Sequence, residues 1–419
     1  MVRIVHSQAA RPVAYVTDVE GSWDRLWSFV QGNGLVRFDE HMRLVVQADA
    51  TLVFGGDAID RGSHGRRVVR TLLEARKRQP DQVVLLAGNR DINKLRIPRE
   101  LRGFLPTRAP DDLRHQPRPE ILRWILSHTM NAGAAFEHRR AELQAEGLAA
   151  HDDDVVASMD ADLDPRTGVF FDYLRHCQLA FRSGVTLFVH GGISETSLGF
   201  VPDTPAAHDD ADVWISDLNG FYARQLVLYA EHPIVPGDPP WLPIILYQAP
   251  RKGTGRNPHS VVYGRFGEDP WNNPRLPKDE AVHWLQARGV HRVVVGHTPC
   301  GDVPAILREC LADRPAFEVV MADNSRSRVE TGTQLRLDDA SLAYVGQAVL
   351  DDESRHEVRL TLDREQDSPI GLVTTDGRLV KGFLDDGRLL LFRLGEGFVI
   401  HQTAQDPARL GPLTLPLDR

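Results

Sequence analysis

Cysteine is nearly absent: Cys177, Cys300 and Cys310 are the only three in 419 residues. An odd number without CxxC spacing argues against a disulfide framework and against a structural zinc knuckle, so the thiols read as buried or idle. Long apolar runs are missing as well. No stretch approaches the roughly 20 residues of a membrane helix, which leaves membrane insertion out. The opening MVRIVHSQAARP carries basic residues but neither an apolar core nor a small-residue cleavage site. It does not read as a secretory signal, and a cytoplasmic protein is expected. Positive charge is in deficit, with 49 Lys and Arg against 58 Asp and Glu and a formal net charge of -9. Non-specific attraction to nucleic acid backbones needs basic patches and is therefore not expected. An anionic substrate would be drawn by a local field, such as that of bound metal. No solenoid-length repeat or low-complexity tract occurs.

What is present is the composition of a globular chain long enough for a large core, either two or three domains or one elaborated α/β domain with an appendage. From Pro12 to Asp91, PVAYVTD, SWDRLWSFVQGNG, TLVFGGD, GRRVVRTLLEARKRQ and QVVLLAGNRD alternate in a β-α-β-α-β rhythm. Each apolar run ends in a polar, Gly-containing cluster, and strand carboxyl ends are where ligands sit in open α/β sheets. Pro119 to Gly147 reads as helical, and the Asp-rich HDDDVVASMDADLDP after it as a solvated loop. VTLFVHGGIS and HRVVVGHTPCG are two further strand endings, and FEVVMADNSRSR closes a third at Asp323 and Asn324. The segment from Val201 to Asn273 is too long for an ordinary connection and reads as an insertion or cap. Beyond about Glu330, short alternating strands with DG and EG steps predict hairpins. The expected division is a domain over 1–330, with insertions at about 100–170 and 201–273, and a β-rich appendage over 331–419.

The informative pattern is the series of strand ends: Asp18-Val-Glu20-Gly, Gly56-Asp57-x-x-Asp60-Arg61-Gly62, Gly88-Asn89-Arg90-Asp91, His190-Gly-Gly and Gly296-His297-Thr-Pro. Carboxylates, an amide oxygen and imidazoles suit a pair of divalent or trivalent ions. The series in this order resembles the calcineurin-like metallophosphoesterases, and GGDAIDRG with HGG brings it near their phosphoprotein phosphatase branch. The resemblance runs from about Val13 to Arg328. It implies a sandwich of two mixed β-sheets flanked by helices, here with a helical insertion and a small C-terminal β appendage. It further implies two metal ions, with Asp18, Glu20, Asp57, Asn89, His190 and His297 as ligands and Asp57 bridging. Arg61 would hold a phosphate oxygen with its forked donors. A hydroxide between the ions would attack phosphorus in line, without a covalent phosphoenzyme.

Two positions depart from the family pattern. Glu20 stands where D-x-H supplies a histidine, which adds negative charge and favours manganese or iron, then magnesium, with zinc last. Arg90 stands where GNH supplies a histidine taken to protonate the leaving group, with Asp60 as its partner. Arginine stays protonated and binds charge without donating a proton near neutral pH. The two changes are expected to belong together, Asp60 orienting Arg90. The leaving group then takes its proton from water, from a residue such as His64 or Asp91, or needs none, as in phosphoanhydrides and aryl phosphates.

Bland roles compete at several of these positions. Glu20 suits the start of a helix as well as a metal, and Asp91 and Lys94 suit caps. His128, His138, His259 and His401 read as ordinary surface or core residues. Trp214, Trp241, Trp271 and Trp284 read first as core, second as pocket walls. Among Arg251, Arg256 and Arg265, the last is the best phosphate ligand, and Asp323 with Asn324 reads as support for His297. The catalytic set is thus Asp60, Arg61, Arg90 and Asp91, and the substrate-binding set Arg61, Arg90 and Arg265. The expected activity is metal-dependent hydrolysis of a phosphate ester or anhydride of a small metabolite or nucleotide. Its rivals are a protein Ser/Thr or Tyr phosphatase and a non-catalytic metal- and phosphate-binding regulator.

Overall fold

The computed structural model describes residues 11–251, 255–267, 271, 273–311 and 314–417. The predicted β-α-β-α-β rhythm is there: strand Val13–Val16, helix Trp23–Asn33, strand Thr51–Phe54, helix Gly65–Arg78 and strand Val83–Leu86. The three strands are buried along their whole length and pair in parallel, Val13 with Thr51 and Leu52 with Val83. Uninterrupted apolar runs are what a strand covered on both faces requires. Ser22 caps the first helix through its side chain, and Gly34 ends it at φ 81, a backbone conformation that suits glycine. A small hairpin, Val36–Phe38 with Leu44–Val46, fills the return to Thr51.

A second sheet has the order 305–311, 314–323, 292–299, 186–189, 180–183. Its Thr186–Val189 and Arg292–Pro299 strands run parallel, so the HGG and GH endings emerge side by side. The sheets enclose a core that includes Tyr15, Val53, Phe188 and Val294. The sandwich of two mixed sheets with flanking helices matches the expectation.

The C-terminal strands do not stand apart from this sandwich. Leu335–Leu337 pairs antiparallel with Val13–Val16, Val13 opposite Leu337. From there the strands 341–349, 355–363, 379–384, 389–394 and 400–405 extend the first sheet, which with 177–178 at its other edge and the off-path strands 373–374 and 413–414 has 12 strands. The DG and EG steps are hairpin turns: Gly377 donates to Thr374, Gly387 to Leu384, and Glu396-Gly397 lies between the last two strands of the path. Lys381 crosses from these strands to the carbonyls of Cys300 and Val303, with the Phe392 ring 4.3 Å from its Nζ.

The Asp-rich stretch corrects one expectation. Asp152–Ala161 is a helix, not a solvated loop. Asp152, Asp153 and Asp154 occupy its first turn, where carboxylates meet the positive end of the helix dipole, and Asp154 accepts from the His151 amide at 2.9 Å. Val155, Val156 and Met159 are its buried stripe. Helices Arg118–Thr129 and Ala135–Ala145 account for the predicted helical segment. The long segment after Val201 holds helices Ala211–Glu231 and Leu242–Tyr247. Trp214 and Trp241 are core residues whose indole N–H groups donate to Phe200 and His232 carbonyls, while Trp271 and Trp284 pack partly buried against the same core.

Candidate active site

The strand endings converge at one place, and the backbone there is bent to bring them close. Asp18, Glu20, Asp57, Asp60 and His297 all have positive φ, at 49, 48, 55, 122 and 62°. Such conformations disfavour residues with a side chain and gather where structure is held for function. The loops brace one another: the Asp18 amide donates to Gly56, Glu20 to Asp57, and Arg61 and Gly62 both to Glu20. Close approach explains two of the glycines. A β-carbon at Gly88 would overlap Oδ1 of Asp57, and one at Gly192 would meet the backbone of Arg265.

Donor atoms of Asp18, Asp57 and His190 lie within 4.8 Å of one another, all three side chains buried. Thr17 donates to Asp18 at 2.6 Å and the His297 amide at 3.1 Å. His190 Nδ1 lies 2.8 Å from the Gly55 carbonyl, which only accepts, so the proton is on Nδ1 and Nε2 faces the cluster. That Nε2 is 3.5 Å from Asp57 and 3.1 Å from Asn89 Oδ1, and the same amide oxygen is 2.8 Å from His297 Nδ1. Nε2 of His297 is buried without a hydrogen-bond partner among the described residues. Burial opposes the imidazolium of His190, yet Asp57 and then Asp18 raise its pKa to about 10. Burial and then the Arg265 charge hold His297 well below its ordinary value. Asp18, Asp57 and His190 form a buried donor set that fits a metal ion, with Asn89 and His297 hydrogen-bonded beside it.

Glu20, expected as a metal ligand, lines the cavity over the site and meets two arginines. Its two oxygens face Arg90 Nε at 2.8 Å and Arg61 Nε at 2.9 Å. Burial pushes its pKa up to about 8 against the pull of the two arginines. Arg90 also reaches Asp60 at 3.4 Å and the carbonyls of Met130 and Asn131, so the expected Asp60–Arg90 contact is present. Asp60 is held more closely by Lys94, at 2.7 Å in a buried pair. Asp91, expected among the catalytic residues, is a backbone brace: its carboxylate accepts from the amides of Asp57, Ala58 and Gly88 at 2.8, 3.0 and 3.0 Å. The bland reading of a cap describes that placement. His64 precedes the helix Gly65–Arg78 and does not line the cavity over the site.

That cavity has a volume of about 670 Å³, inside the range of small-molecule sites. Asp18, Asp57, Asn89 and His297 form part of its lining. Arg265 lines it too, 3.4 Å from Thr298 and 5.7 Å from the Tyr263 ring, whose own centre is 4.7 Å from that of His297. Asp323, buried beside the site, fixes the next turn by accepting from the Ser325 amide. Sequence reasoning missed Lys94, His128, Tyr263, Arg326 and Phe398 as neighbours of the site. Lys94 was findable, since it follows Arg90 by four residues and i,i+4 residues share a helix face. The others depend on how distant segments pack.

The sequence profile of the calcineurin-like phosphoesterases matches residues 11–301. The chain belongs to this metal-dependent phosphoesterase family. No functionally characterised protein in the curated set matches it. Among solved structures it is similar to the cold-active protein-tyrosine phosphatase of a Shewanella species, with 18% identity over 84% of this chain and 81% of that one and a TM-score of 0.44. It is similar also to a Saccharomyces cerevisiae serine/threonine phosphatase with similarity to human PP5, at 12% identity, 88% and 85% coverage and TM-score 0.39. A Sphaerobacter thermophilus metallophosphoesterase shares 13% identity over 85% and 89%, with TM-score 0.30. Likeness at this level does not bear on substrate. No helix among the described residues is long and apolar enough to cross a membrane.

Proposed function

We propose that this chain hydrolyses a phosphate ester or anhydride of a small metabolite or nucleotide, using metal held at the site. The observation that carries the reading is the cavity of about 670 Å³, which leads to the Asp18, Asp57 and His190 cluster. Asp18, Asp57 and His190 would hold the metal, with Asn89 and His297 beside them as further donors. When bound, the metal supplies an acidified water and charge stabilisation at the phosphoryl oxygens. Glu20, with an arginine on each oxygen, acts as the counter-charge that aims Arg61 and Arg90. Those two arginines and Arg265 grip phosphoryl oxygens. Asp60 and Lys94 set the position of Arg90, and Asp91 holds the loops. Arg90 cannot supply a proton, so substrates with acidic leaving groups are favoured.

Reconstitution with manganese, iron, magnesium or zinc, followed by assay of aryl phosphate, nucleotide, sugar phosphate and phosphopeptide, tests the reading. Metal-dependent turnover of the small substrates that is lost in Asp57→Asn supports it. Preference for phosphopeptides would replace it with a protein phosphatase, and bound metal without turnover on any ester would replace it with a binding protein.

A further inference from the structure

Six arginines line the cavity, and they are not equally engaged. Arg61 and Arg90 are paired with Glu20, and Arg96 is paired with Glu100 at 2.6 Å. Arg108 and Arg326 make no hydrogen bond or ion pair among the described residues, and of these two only Arg326 packs against an aromatic ring of the same cavity. It nevertheless sits inside the field of the site, where the charges of Arg61, Asp323, Glu20 and Arg90 act on it. The turn that bears it is braced by hydrogen bonds. Ser327 donates to Asp302 at 2.9 Å, the Arg328 amide to the same oxygen at 2.7 Å, and Asn324 to Gly301 at 2.7 Å.

The contact Arg326 does make is with Phe398, whose ring centre is 5.3 Å from the guanidinium carbon. Phe398 comes from the turn between strands 389–394 and 400–405 and lines the same cavity. It has φ 64, which a bulky residue adopts only where its surroundings impose it. The turn is closed by Gly395 donating to Val399 and Phe398 to Gly395. A ring held in that way against a guanidinium restricts the arginine, whose side chain lines the cavity.

Resting on the phosphoesterase reading above, we propose that Arg326, steered by Phe398, binds a second phosphoryl group beside the reacting one, so that the substrates are small diphosphates cleaved at the anhydride. One phosphoryl group is already served by Arg61, Arg90 and Arg265, and a further free guanidinium calls for further negative charge. The chemistry at position 90 agrees. Water adds across the P–O–P bridge: its oxygen bonds to the terminal phosphorus while the bridging P–O bond breaks. The bridging oxygen keeps the electron pair on the remaining phosphoryl group, and the protons of water end on inorganic phosphate or in solvent. With a second pKa of about 6, a phosphate leaving group departs as a stable anion and needs no general acid.

The test is calorimetric titration of the manganese-loaded full chain with imidodiphosphate, a non-hydrolysable diphosphate, and with inorganic phosphate. The wild type is expected to bind imidodiphosphate at least about tenfold more tightly. Arg326→Gln and Phe398→Ala should bring that preference below about threefold, and Phe398→Trp, which keeps a ring against the guanidinium, should retain it. If Phe398→Ala fails to fold, Arg326→Gln decides alone, since that side chain is exposed. A wild type without the preference, or an Arg326→Gln variant that keeps it, overturns the proposal. Aryl phosphate turnover, compared with Asp57→Asn, separates the two readings. Turnover without diphosphate preference leaves the phosphoesterase and removes the subsite; preference without turnover on any substrate, a diphosphate included, leaves a binding subsite and overturns both the cleavage and the phosphoesterase reading.

Discussion

On one flank of the site Asn89 joins His190 and His297, and His190 is held by the Gly55 carbonyl, while on the other Glu20 and Asp60 are each held by two cations. The first flank has the chemistry of metal coordination. The second spends its carboxylates on arginine and lysine. Glu20 and Arg90 are the two departures from the family pattern, and they meet at 2.8 Å. The acid and the base at the two departing positions are thus each other's partners.

The strongest way to break this comparison is at the residue both flanks share. Asp57→Asn should lower turnover by roughly a thousandfold, about 4 kcal/mol, with an unchanged circular dichroism spectrum and reduced metal content. Glu20→Gln should cost roughly ten- to a hundredfold in kcat yet leave the metal in place, as read by metal analysis after dialysis. Loss of the metal in Glu20→Gln would erase the distinction between the flanks. Smaller still is the coupling between the exchanged positions. Glu20→His and Arg90→His combined should be about 1–2 kcal/mol less damaging in kcat/KM than the two single effects added. Faster turnover in Arg90→His alone would show that the exchange is not a pair.

The smallest effect concerns the tie between the site and the C-terminal strands. Burial lowers the pKa of Lys381 to about 8, while Cys300 and Asp302 pull the other way. The folded value lies below the unfolded one of about 10.4, so the charged amine opposes folding at low pH and stability rises as pH passes 8. Between pH 7.5 and 9 the wild type should gain about 1 kcal/mol relative to Lys381→Met, read from urea midpoints at each pH. Equal slopes would mean that the amine is neutral or solvated when folded.

Much of this was legible because strand ends carry chemistry in contiguous motifs. Asp18, Asp57, Asn89, His190 and His297 each close an apolar run; parallel pairing aligns the first three in one sheet and the last two in the other, and packing of the sheets brings the two sets together. The partners of Glu20 were not legible, because spacing gives position in a motif and not direction, and Arg61 and Arg90 meet its oxygens only through the fold. Asp91 looked like an acid because backbone amides, its actual partners, carry no sequence signature. The Asp-rich helix was missed for a related reason, its carboxylates stabilising a helix start rather than a loop. Phe398 and Arg326 lie 72 positions apart on a turn and a loop, and no local pattern relates them.

The pairing of Val13 with Leu337 has a consequence for how the protein is made. Strand Val13–Val16, which leads into Asp18, can join Thr51–Phe54 early, but its other edge waits for a segment roughly 320 residues later. At about 5–20 residues per second, that wait is roughly 15–60 s, during which an apolar strand stands open to any neighbouring chain. The nascent protein thus carries its metal-binding motifs long before it can close the sheet beneath them, and its vulnerable period is set by the ribosome rather than by the chemistry of the site.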